Sequence, residues 1–290
     1  MMKRFIFSIF LLPLLLASPQ TKAQGIMLTP KWTAQAQFTG YYVADKLGFY
    51  KEEGIDVCVQ HPAISESSFS FMEKGRAPVV IMNLSYAFME RLAGARVVNV
   101  MQTSQENSLM LISHSPLKGE ESLRNQKIAV WNHLSQKLLD RLAEHYALKQ
   151  VEWIRFNSGV NVFLSGAADP CLVGSYNEYL QLSEYGMNVD SIYSIRLADY
   201  GYNLPEDGLY VTEEFYNQYP EVVRKLVKAS MRGWAWANEH REEALDMVME
   251  EVKKGNIGTN RYHQRKMLEE VLRLQVDQQS GQRTYRLNFS

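Results

Sequence analysis

Cysteine is scarce: Cys58 and Cys171 are the only two in 290 residues. So few exclude the disulfide framework that staples small secreted domains and any cysteine-rich zinc cluster. In an oxidising compartment the two could pair, but they fall in different segments of the pattern described below, so two buried free thiols are the expectation. The histidines, at 61, 114, 133, 145, 240 and 263, show no metal-ligand spacing among themselves or with Cys and carboxylates, and no metal is expected. Neither common glycine-rich phosphate loop is present. Charge of one sign is also missing, because 31 Lys and Arg stand against 32 Asp and Glu. Without a basic field there is nothing to gather nucleic acid or an anionic membrane, and a neutral or compact ligand fits better. Internal repeats and low-complexity runs are absent.

A run long enough to span a membrane is lacking too. Phe5 to Ala17 is apolar for only about 13 residues, short of the ~20 a spanning helix needs. Lys3 and Arg4 precede it, and Thr21-Lys22-Ala23 offers small residues at both positions that a signal peptidase reads. Residues 1–23 are therefore read as a cleaved secretory signal, with an uncleaved anchor as the alternative. No Cys lies near the cut, so lipid attachment there is not expected.

What is present is ordinary globular composition, 46% hydrophobic, enough for one large or two small cores. Gly25 to Thr29 reads as a strand, and Phe38 to Lys51 as a helix ending at Gly54, with Tyr41, Leu47 and Tyr50 at helical spacing. Ile55, Val57 and Val59 alternate as a half-buried strand. Residues 65–75 and 85–94 follow as helices, 77–82 and 96–101 as strands. Strands linked by helices imply βαβ units and a largely parallel sheet.

A second stretch repeats that style, with strands at 109–113, 126–131, 151–156 and 170–175 and an amphipathic helix from Ser135 to Leu148. From about residue 195 extended structure resumes, punctuated by Gly201, Pro205 and Gly208. Three helices close the chain: Pro220 to Asn238, Arg241 to Lys254 and Arg261 to Leu274. Trp234 and Trp236, two apart, belong to different faces, one core and one partly exposed. The fold class expected is α/β with two lobes: residues 24–108 and 196–290 form one, 109–195 the other, and a ligand cleft lies between them.

The loop after the first strand, Asn83 to Tyr86, and Gly174 to Glu178 all sit at strand ends that such a cleft would share. Their residue types suit a flat heteroaromatic ring, held by stacking and read by amides and a carboxylate. Trp32, Phe38, Tyr41, Tyr42, Tyr86, Tyr176 and Tyr202 are the candidate rings. Gln37, Asn83 and Asn177 are the candidate amides, and Glu178 the acid for a protonated or amino-bearing ring. Each has a plainer reading, with the Tyr residues as packing, Trp32 as core and Glu178 as a helix-starting acid. "WNHLS" (131–135) could seat an anion on free backbone N–H groups, though ordinary capping explains it as well.

The stretch "AQAQFTGYYVADKLGFYKEEGIDV" resembles the opening signature of periplasmic substrate-binding proteins of ABC importers. The subfamily is the ThiY-like one, which binds the pyrimidine precursor of thiamine and shares its fold with yeast thiamine-pyrimidine synthase. "GSYNEYLQLSEYG" and "PEVVRKLVKASMRGWAWANEHREEAL" extend the likeness. Relatives with similar openings bind other flat heterocycles, riboflavin among them, and aliphatic sulfonates remain a further alternative.

The resemblance implies a periplasmic, monomeric protein with an aminopyrimidine-like ligand, an importer permease as partner and no cofactor. By the same analogy Trp32, Tyr42, Tyr176 and Glu178 carry most of the recognition. Capture would proceed by hinge closure about Thr103 to Ser108 and Ile195 to Tyr202. The synthase consumes pyridoxal phosphate and a histidine and uses a cysteine-rich iron-binding segment. That segment has no counterpart here, so an enzyme is not expected. The chain ends in the strand-like "GQRTYRLNFS", where family members commonly continue into a further helix.

Overall fold

The computed structural model describes residues 25–63, 66–117, 123, 125–131, 140, 143–144, 151–157 and 159–287. The expected signal at 1–23, most of the helix over 135–148 and most of "WNHLS" lie outside them. Among the described residues, ten strands alternate with helices. The strands are β1 (Ile26–Thr29), β2 (Val57–Val59), β3 (Val79–Asn83), β4 (Val97–Gln102), β5 (Leu109–Ser113), β6 (Lys127–Trp131), β7 (Glu152–Phe156), β8 (Cys171–Gly174), β9 (Tyr193–Arg196) and β10 (Asp207–Thr212). The described helices of the first half are α1 (Thr39–Lys46), α2 (Phe49–Glu52), α3 (Ser68–Glu73) and α4 (Leu84–Leu92). Those of the second are α5 (Asn161–Leu164), α6 (Glu178–Glu184), α7 (Glu213–Gln218), α8 (Pro220–Glu239), α9 (Arg241–Lys254) and α10 (Arg261–Leu274).

The strands form two five-stranded sheets, ordered β2-β1-β3-β10-β4 and β7-β6-β8-β5-β9. Both follow one plan. In each, the fourth strand of the order runs against its neighbours: β10 is antiparallel to β3 and β4, and β5 to β8 and β9. These two strands are the ones that enter their sheet from the other lobe. The chain thus crosses after β4 and again after β9, and the sheets belong to a two-lobe α/β fold. Arg196 at the end of β9 still pairs with Met110, so the second hinge expected from residue 195 begins inside the second sheet.

The helix expected over Phe38 to Lys51 is in fact three pieces. A 3-10 turn spans Ala36–Phe38, then α1 and α2 are separated at Gly48, whose φ of +77° is left-handed backbone that glycine tolerates best. The first lobe's core forms where α1 crosses α8. That helix starts on Pro220 and buries Val223, Leu226, Ala229, Gly233, Trp234 and Ala237 along one stripe. Trp234 is completely buried, while Trp236 is only partly so and stacks on His240. An aromatic side chain of this size removes ~150–250 Å² from water, worth about 4–6 kcal/mol before the cost of ordering it. Separate apolar clusters fill the second lobe.

Both cysteines are free, but only Cys171 is buried. Cys58 is exposed, contrary to expectation, because period-2 alternation in β2 turns Val57 inward and Cys58 outward.

Candidate binding site between the lobes

The loop after β1 carries Lys31 to the end of the first sheet. Its Nζ lies 2.6 Å from Asp207 Oδ1 and donates to Asn83 Oδ1. This junction exists because β10 is antiparallel: the register pairs Asp207, at its start, with Asn83, at the end of β3. Gln37 Nε2 donates to Asp207 Oδ2 at 2.7 Å and its Oε1 accepts from Gln35 Nε2 at 2.5 Å. Gln264 on α10 accepts the Ala36 backbone N–H at 2.6 Å, which fixes the loop to that helix.

From the other side, Ser108 Oγ donates to both oxygens of Glu206 at 2.9 and 3.1 Å. Ser108 also bonds the Tyr176 hydroxyl, which lies within the fields of Glu206, Asp207 and Glu178. Burial first, and then those carboxylates, hold the Tyr176 hydroxyl far above its ordinary value. Its ring packs on the first lobe's core, so Tyr176 joins the two halves. Burial also raises Glu206, with Asp207 adding to the rise and Lys31 opposing it. Glu178 opens α6, and burial raises it against the pull of several donors. Gly174 N–H at 3.1 Å and Asn177 Nδ2 at 3.1 Å are two of these. A Cβ at Gly174 would stand 3.2 Å from Glu178 Oε2 and 3.4 Å from Ser108 Oγ, so glycine leaves room for both.

Helix α10 ties the same region across the lobes. His263 Nδ1 lies 2.5 Å from Glu184 Oε1 and Nε2 3.1 Å from Asn177 Oδ1. Glu270 accepts from Ser175 Oγ at 2.6 Å and from Arg196 at 3.1 Å.

Of the residues expected at the site, Gln37, Asn83, Tyr176, Asn177 and Glu178 are brought together here. Trp32 adjoins through Lys31, with its side chain 38% exposed. Phe38, Tyr41 and Tyr42 are instead enclosed in the first lobe's core, at 0, 1 and 2% exposure. The Tyr41 hydroxyl meets Thr103 Oγ1 at 2.8 Å, at the first crossing, and the Tyr42 hydroxyl meets His61 Nε2 at 2.7 Å. Tyr86 stands edge-on to Phe69 on α4, and the Tyr202 carbonyl accepts from Asn107 in the crossings.

Sequence reasoning missed Lys31, Ser108, Glu206, Asp207 and His263. The adjacent acids in "NLPEDGLY" were the available signal, but only a sheet direction that the sequence does not show places them at the strand ends. An open cavity of about 470 Å³, lined by Met110, Ser194, Ile195, Arg196, Asp199 and Tyr200, lies beside β9. It contains none of the expected site residues, whereas the Lys31 to Glu178 region draws polar groups from both lobes. Among the described residues no group of His, Cys, Asp and Glu could hold a metal ion.

Comparison with known proteins agrees with this architecture. The chain is 28% identical over 265 residues to riboflavin-binding protein RibY of Chloroflexus aurantiacus, covering 87% of this chain and 73% of that one. It is 24% identical over 273 residues to a formylaminopyrimidine-binding protein of Halalkalibacterium halodurans, with 88% and 81% covered. A 4-amino-5-hydroxymethyl-2-methylpyrimidine phosphate synthase of Saccharomyces cerevisiae, THI13, matches at 22% identity over 68% of this chain and 62% of its own. Among solved structures, the periplasmic aliphatic sulphonate binding protein SsuA of Escherichia coli superposes with a TM-score of 0.65 at 13% identity, covering 85% and 83%. That likeness speaks for the fold. Residues 35–244, well over half the chain, match the family model described as NMT1/THI5 like, and the chain belongs to that family.

Proposed function

We propose that the chain is the periplasmic solute-binding component of an ABC importer. It captures a small planar heterocycle, most simply an aminopyrimidine precursor of thiamine, between lobes comprising residues 24–108 with 196–290 and residues 109–195. The supporting observation is the convergence of Lys31, Gln37, Asn83 and Asp207 from one lobe, Ser108 at the first crossing, and Tyr176 and Glu178 from the other lobe. Trp32 supplies a ring at the mouth, amides and acids read the ring edge, and closure excludes water around them. Ligand that bridges both faces favours the closed form by its differential affinity.

Two binding proteins among its relatives support capture over catalysis, and the permease is the partner that follows from an importer role. Riboflavin is the second candidate ligand, favoured by the 28% identity to RibY. A thermal-shift screen with aminopyrimidines, thiamine, riboflavin and aliphatic sulfonates decides. A true ligand at 100 times its dissociation constant adds about 2.7 kcal/mol of stability. Stabilisation by sulfonates alone would overturn the heterocycle reading.

A further inference from the structure

We propose that the cleft selects heterocycles with a cationic or amine-rich edge and rejects anionic ones, phosphate esters above all, through the adjacent acids Glu206 and Asp207. The inference rests on the cleft being the binding site. It concerns the ligand's charge, which the fold leaves open.

Three carboxylates face this region. Glu178 and Asp207 are 6% and 7% exposed, and Glu206 is part-buried. Among the described residues one ammonium, Lys31, serves them, and it is already engaged by Asp207 and Asn83. Glu206 has a neutral donor in Ser108, and Asp207 has another in Gln37. Among the described residues, the arginines and the histidine along the junction are held elsewhere. Arg196 and Arg273 both bind Glu270, Arg273 also binds Glu106, and His263 faces Glu184.

A ligand entering between these groups therefore meets excess negative charge in a water-poor space. There, unlike charges attract and like charges repel far more strongly than in bulk water. An aminopyrimidine presents in-plane N–H donors that a carboxylate accepts side by side, and a protonated ring adds the missing positive charge. A phosphate ester would bring up to two further negative charges to a single lysine that is already paired. The synthases among the relatives are named for a pyrimidine phosphate, and this chain's charge arrangement departs from that chemistry.

Isothermal titration calorimetry of the full mature chain with 4-amino-5-hydroxymethyl-2-methylpyrimidine and with its monophosphate, at pH 7, tests the inference. The free pyrimidine should bind, and the monophosphate should bind about 100-fold more weakly, as expected when like charges are juxtaposed. In Glu206→Gln the gap should shrink to about tenfold or less. If the monophosphate binds the unaltered chain as well as the free pyrimidine does, or better, charge selection is overturned while the heterocycle reading stands. An unchanged ratio in folded Glu206→Gln overturns the role given to that acid. If neither compound binds a cooperatively melting protein, the aminopyrimidine reading falls and charge selection with it. Should Glu206→Gln fail to fold, the pair of ligands on the unaltered chain still decides.

Discussion

His61 Nδ1 lies 2.5 Å from the Trp32 carbonyl, which can only accept, so that nitrogen carries the proton. Nε2 is then free to accept from the Tyr42 hydroxyl, and the ring is neutral. Burial pulls the His61 pKa down, in keeping with that state. The Trp32 backbone is thereby pinned while its indole stays half open. If that indole stacks on the ligand, Trp32→Ala should weaken binding by ~1–3 kcal/mol with folding intact, on the scale of base-aromatic stacking. Titration of the folded variant checks this, and unchanged affinity would remove Trp32 from the site.

Glu206 gives a pH prediction. Its folded pKa is raised, so the folded state holds its proton where the unfolded state has lost it. Stability linked to this group falls as pH rises from about 4.5 through the raised value, and the cost is fully present above it. Glu206→Gln should therefore melt higher than the parent at pH 7, with the gain gone near pH 4. Melting curves at both values test the sign.

At the scale of elements, α1 and α8 approach so closely that side chains are excluded. A Cβ on Gly233 would lie 2.0 Å from the Gly40 carbonyl oxygen, and one on Gly40 would lie 2.3 Å from the Trp234 ring. Gly233→Ala should destabilise by about 1–3 kcal/mol or more, because backbone must move to relieve the contact. Urea unfolding would show it, and a neutral result would mean the helices slide apart freely. The helix and strand pattern here was legible from hydrophobic spacing: α9 and α10 span the expected residues, and every strand expected between residues 25 and 175 is present, whereas the strand-like ending forms none over 281–287. Two things were not legible. Phe38, Tyr41 and Tyr42 looked like site residues because they follow a strand end, but helical spacing turns them into the core. Glu206 and Asp207 fell in a stretch read only as punctuated extended structure, because the direction of β10 depends on the other lobe's path.

For the whole molecule, two crossings and α10 join the lobes. Glu270 alone reaches Ser175 and Arg196 in the second half and Arg273 on its own helix. Losing one carboxylate that serves several partners leaves them unpaired. Glu270→Ala should therefore raise the ligand-free radius of gyration in small-angle scattering, with a saturating ligand restoring compaction. Identical profiles with and without ligand in both proteins would remove hinge closure as the mechanism.

The periodicity of apolar residues by itself determined the α/β class and the strand and helix order, since local spacing decides which face of each element is buried, and the family resemblance came from the particular residues of "AQAQFTGYYVADKLGFYKEEGIDV". Tertiary structure alone decided which polar residues meet. Lys31 is far in the chain from Asp207, and Ser108 from Glu206, and sheet direction and lobe crossing, which are non-local, set these two contacts.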